Sequence, residues 1–83
     1  MTADGRHVIA TTDKIASITF DNRAFVISFS AKKCIVERES VLYDGKEQAK
    51  IPAEATNIVI EFVEGKLAIV ADGQSVRDAV PPH

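Results

Sequence analysis

Eighty-three residues, with ten lysines and arginines against twelve aspartates and glutamates, make one small domain of net charge −2. A single cysteine excludes an internal disulfide, and Cys34, His7 and His83 stand at no metal-ligand spacing, so the chain needs a self-sufficient core or a partner subunit, with no cofactor expected. The cations are dispersed, with Lys32-Lys33 the one adjacent pair, which excludes the basic face of a DNA-coating protein.

The apolar set is lopsided: nine Ile and nine Val against Leu42 and Leu67 alone. Branching at Cβ suits a pleated strand, and period-two alternation recurs where a helical stripe does not. The sequence therefore predicts an all-β domain over residues 1–83: a small antiparallel meander of three sequential hairpins, forming a sandwich or partly open barrel. Residues 1–13 offer one short strand, Arg6 to Thr11, after the turn pair Asp4-Gly5; the rest of this segment is expected to fray.

The first hairpin joins residues 15–21 to residues 24–30 across Asn22-Arg23. Pairing Asp21 with Ala24 sets Phe20 opposite Phe25, Ile18 opposite Ile27 and Ala16 opposite Phe29, all on one face. Thr19 with Val26 and Ser17 with Ser28 take the other face. A slip by one residue would mix the two sets. Asn22 tolerates a positive φ better than Arg23, so a four-residue loop of the same register is an alternative.

The middle hairpin turns at Asp44-Gly45 between residues 34–43 and 46–51. Pairing Tyr43 with Lys46 sets Val41 opposite Gln48 and Glu39 opposite Lys50, an expected ion pair. Neither face is cleanly apolar: Cys34 and Val36 share a parity with Leu42, and Ile35 with Val41 and Tyr43. A bulge, or a strand that changes sides, is implied. Pro52 closes this strand and opens a connection through Thr56.

The last hairpin runs from Asn57 to Val63, turns at Glu64-Gly65 and returns from Lys66 to Ala71. Phe62 opposes Leu67, Ile60 opposes Ile69 and Ile58 opposes Ala71. Asp72-Gly73 is a further turn before a short strand at Ser75-Val76, and residues 74–83 are expected to be frayed or extended.

An antiparallel sheet with one wet face alternates apolar and polar. The last hairpin departs from this. Its second face carries Val59, Glu61 and Val63 against Val70, Ala68 and Lys66. Either other parts of the chain cover this face, or it is an interface with another chain. Little apolar material remains for the covering, so Val59, Val63, Ala68 and Val70 are the candidate protein-interface residues.

Candidate chemistry is sparse. His7 and His83 lie near the chain ends, where rigid support is rare, and read as surface residues. Cys34 follows two lysines that would activate a thiolate, yet Ile35-Val36 beside it suits a small buried hydrophobe. The carboxylates Glu37, Glu39, Glu61, Glu64, Asp72 and Asp78 are ordinary surface residues unless geometry pairs them. No glycine-rich phosphate loop is present.

The expected function is therefore non-enzymatic: a protein-interaction or assembly module, as an inhibitor, adaptor or structural subunit of the kind phages and mobile elements encode. It would self-associate, or bind another protein, through the second face of the last hairpin or by pairing an exposed strand edge with its partner. The alternative is a nucleic-acid-binding small β-barrel that uses Arg23, Lys32, Lys33 and Tyr43. The longest near-apolar stretch, residues 58–63, is too short to span a bilayer, so no membrane role is expected. The lone cysteine, with no secretory-type leader, points to a reducing, cytoplasmic setting.

Overall fold

The computed structural model describes residues 1–14, 16–29 and 31–82; Ile15 and Ser30 of the first hairpin, and His83, lie outside the described residues. The strands are β1 (Thr2–Ala3), β2 (Arg6–Thr12), β3 (Ala16–Asp21), β4 (Ala24–Phe29), β5 (Lys32–Val36), β6 (Ser40–Tyr43), β7 (Lys46–Lys50), β8 (Asn57–Val63), β9 (Lys66–Ala71) and β10 (Gln74–Val80). They form two five-stranded sheets, ordered β1-β2-β8-β9-β10 and β3-β4-β5-β6-β7. The second sheet is a pure meander. The first is mixed, because β2 pairs with β8 in parallel from His7↔Asn57 to Thr12↔Phe62.

Two-residue turns set most of the registers. Asn22-Arg23, Asp44-Gly45 and Glu64-Gly65 each have positive φ at both positions, the geometry that matches strand twist in a tight hairpin. The first hairpin pairs Asp21↔Ala24, Phe20↔Phe25, Ile18↔Ile27 and Ala16↔Phe29. The last pairs Val63↔Lys66, Phe62↔Leu67, Ile60↔Ile69 and Ile58↔Ala71. These are the expected registers. Asp4-Gly5 and Asp72-Gly73 make the same kind of turn.

The inner faces interdigitate. Val8, Ile58, Ile60, Phe62, Leu67, Ile69 and Ala71 of the first sheet meet Phe25, Ile27, Phe29, Cys34, Val36 and Val41 of the second. Phe29 and Phe62 touch across the gap with ring centroids 5.2 Å apart, and Tyr43 stacks on Phe62 at 5.3 Å.

Three expectations need correction. Residues 34–43 are two antiparallel strands, with Val36↔Val41 the last pair before a tight turn at 37–39. That turn resolves the parity conflict: Cys34, Val36 and Val41 all face inward, while Ile35 and Leu42 pair on the outer face. The middle hairpin does carry a bulge, between Val41↔Ala49 and Leu42↔Glu47. It displaces Gln48 from Val41 and puts Ser40, not Glu39, opposite Lys50, whose ammonium lies 3.3 Å from Glu47 instead. Finally, of the two alternatives for the tail the extended one holds: residues 74–80 form β10 along β9, longer than the short strand expected at Ser75-Val76, and Met1 to Ala3 bind back onto β2 instead of fraying.

Two buried arginines fasten the ends of the strands. Arg6 is 2% exposed and donates to the carbonyls of Ala55 (2.8 Å), Glu37 (3.1 Å), Arg38 (3.0 Å), Pro52 (2.9 Å) and Ala53 (3.2 Å). It thereby ties the 37–39 turn and the 51–56 connection to β2. Burial, reinforced by nearby Arg38, lowers its pKa. Arg77 donates to the carbonyls of Leu67, Val80 and Pro81 and, at 3.2 Å, to Oε1 of Gln48. The β7 bulge turns Gln48 inward to receive it, which links β7 of one sheet to β10 of the other.

Candidate functional site

The outer face of the first sheet is the principal candidate. Register fixes its composition. Ile9 of β2 sits beside Val59 of β8, which sits opposite Val70 of β9. In the neighbouring rows Thr11, Glu61 and Ala68 lie side by side, then Val63 and Lys66. All four expected interface residues, Val59, Val63, Ala68 and Val70, therefore share one face. No helix or strand among the described residues lies over it. Ile9 remains 45% exposed and Val63 40%, while Val59, Ala68 and Val70 are half-buried by their own neighbours.

Ile9 was missing from the sequence-predicted set. Its place beside Val59 becomes visible only through the parallel β2–β8 pairing, which connects segments about fifty residues apart. The second sheet has an apolar outer row as well, Val26–Ile35–Leu42. All three are half-buried, and Thr19 and Glu47 flank the row.

Of the four residues of the nucleic-acid alternative, Lys32, Lys33 and Tyr43 lie at one end of the second sheet and Arg23 stands apart. Arg23 occupies the turn at one end of β4, while Lys32 and Lys33 pair with Phe29 and Ser28 at its other end. At about 3.3 Å per residue the two ends of that strand stand roughly 17 Å apart. Lys32 donates to Asp44 at 2.9 Å, an exposed pair that raises the lysine's pKa. Tyr43, expected as an exposed stacking platform, is half-buried, with its ring face against Phe62. A hollow of about 250 Å³ at that end is lined by Lys14, Phe29, Ala31, Lys32, Tyr43, Phe62 and Gly65.

The remaining candidates are dispersed. Cys34 is fully buried, and desolvation pushes its thiol up to about 12, so the activating effect of Lys32-Lys33 does not reach it. His7 lies on the outer face of the first sheet, with Nδ1 2.5 Å from the Thr2 hydroxyl. Glu37 and Asp78 accept hydroxyls from Ser40 and Ser75, and Glu39, Glu61 and Glu64 are exposed. Asp72 accepts N–H bonds from Asn57 (2.9 Å) and Thr56 (3.1 Å), which lower its pKa and lock the start of β8 to the β9–β10 turn. Among the described residues no group of three or more His, Cys, Asp or Glu could hold a metal ion. No helix among them is long and apolar enough to cross a membrane.

In comparisons with known protein families, curated proteins and solved structures, nothing matches this chain.

Proposed function

We propose that this protein is a non-enzymatic assembly module that self-associates through the outer face of its first sheet. One observation carries the reading: Ile9, Val59, Val63, Ala68 and Val70 share one face, and no helix or strand among the described residues covers it. Glu61 and Lys66 interrupt that face. Two copies packed face to face can set Glu61 of each against Lys66 of the partner subunit while the valines and Ile9 meet around them.

The three strands that carry this face, at about 4.8 Å spacing, and seven residues at about 3.3 Å give a flat footprint of about 330 Å² per copy. That is small for an obligate dimer and suits a concentration-dependent one. Sedimentation from micromolar to millimolar concentration should show a mass rising above the 9.0 kDa of one chain. Val63→Glu should move that rise to at least tenfold higher concentration, because it buries a carboxylate against apolar surface. Identical mass curves for the two proteins would refute the reading.

A further inference from the structure

A sandwich of two open sheets has four edge strands, and in this fold they are treated unequally. On one side, β7 and β10 are both distorted by bulges. β7 carries Lys46, Glu47 and Lys50, β10 carries Arg77 and Asp78, and Pro81-Pro82 follows it. Bulges, charges and prolines are the devices that stop an edge from pairing with another chain. On the other side, β2 is capped by Met1 through two bonds with Val8. β3 has only the charge of Asp21, at its turn end. It is six residues of unbroken register, Ala16-Ser17-Ile18-Thr19-Phe20-Asp21, with no lysine, proline or bulge.

The turn geometry shows which backbone groups β3 leaves unpaired. Asp21 and Ala24 flank a two-residue turn, so they exchange both hydrogen bonds. Alternation then directs Asp21, Thr19 and Ser17 toward β4. The N–H and C=O groups of Phe20, Ile18 and Ala16 point away from the sheet. Beside them runs a groove of about 300 Å³ between Ala16–Ile18 and Val8–Thr12 of β2, and no element among the described residues fills the space next to the edge.

We propose that β3 pairs antiparallel with β3 of a second copy, with Ile18 on the twofold axis, to join two five-stranded sheets into one of ten strands. The edge is complementary to itself in this register. Ile18 faces its own counterpart, and Ala16 faces Phe20 of the partner subunit. Those are the residues whose backbone groups point outward, so the pairing forms six hydrogen bonds and leaves none of these donors or acceptors unmatched. On the opposite face Ser17 meets Thr19 of the partner subunit, a favourable cross-strand pair, and no like charges are opposed. The small Ala16 opposite the large Phe20 keeps the seam evenly filled. A slip by one residue would set the outward-pointing groups against groups already bonded to β4.

The contact does not depend on the outer face, and the test separates the two. In a Val63→Glu background, sedimentation compares the unmodified edge, Ser17→Lys with Thr19→Lys, and Ser17→Lys with Thr19→Glu. Both positions are exposed and point away from the core. Residual association in the parent should weaken at least tenfold in the double-lysine variant, which opposes two like pairs. It should return in the lysine–glutamate variant, which opposes unlike ones. Equal behaviour of the two double variants, or a parent that stays monomeric, would overturn the edge pairing and leave the face reading untouched. Amide exchange gives an independent reading in the unmodified chain. The Ile18 N–H should exchange more slowly as concentration rises, and a rate independent of concentration would also overturn the proposal.

Discussion

Replacing Arg6 with methionine is the most demanding test of how the fold is held together. The substitution keeps an unbranched apolar stem but removes every donor. Five carbonyls lose a donor, of which that of Pro52 keeps the backbone N–H of Ala55, and Nη2 alone serves those of Arg38, Pro52 and Ala53. The bond to Ala55 is fully buried, so that oxygen loses about 1–3 kcal/mol outright. The other four carbonyls are only partly buried and recover some of their loss from water. The relief of no longer desolvating a guanidinium offsets a further part. A net loss of about 3–4 kcal/mol follows. A domain of 83 residues has roughly 4–12 kcal/mol in all. Urea unfolding followed by circular dichroism should therefore show the midpoint falling by about 3 M, at a slope near 1 kcal/mol per molar. Arg6→Lys, which keeps a charge and three donors, should lose about half as much. A loss below about 1 kcal/mol for Arg6→Met would refute the claim that this side chain fastens the 37–39 turn and the 51–56 connection.

Two other substitutions probe local devices. Asp72 has its pKa depressed by the Asn57 and Thr56 N–H groups, so its contribution is full above the unfolded value and disappears as pH falls through the lower folded one. Stability measured from pH 6 down through about pH 4 and below should fall less steeply for Asp72→Asn than for the parent, and parallel curves would contradict the assigned hydrogen bonds. Arg23 sits at φ 62°, where the corresponding position of the other four tight turns is glycine. Arg23→Gly should stabilise the fold by about 1 kcal/mol and raise Tm by roughly 4–8 °C, whereas a lower Tm would show that the arginine makes a contact that outweighs its backbone strain.

Local pairings were legible because a two-residue turn fixes register and the apolar alternation agrees with it. Phe20 opposite Phe25 and Phe62 opposite Leu67 need no information from elsewhere in the chain. The parallel β2–β8 pairing was not legible, since no turn joins Arg6–Thr12 to Asn57–Val63 and both are merely apolar runs. The break after Val36 was hidden for a related reason: Glu37-Arg38-Glu39 contains neither glycine nor proline, and Arg6 supplies from a distance the hydrogen bonds that hold two of its carbonyls. Arg6 itself was readable in principle. It shares a parity with Val8, so if Val8 faces the core, Arg6 must as well. Arg77 was masked by a bulge in β10, which removes the parity rule where it was needed. The candidate face was visible from the last hairpin alone, but its full extent, including Ile9, depended on the missed parallel pair.

Self-association through that face is tested most directly by methyl NMR on a dilution series of the unmodified chain. The account predicts that the methyl resonances of Ile9, Val59, Val63 and Val70 shift together as concentration rises, while those of the buried Ile27 and Ile69 stay in place. Outer-face methyls that do not move up to millimolar concentration would contradict it.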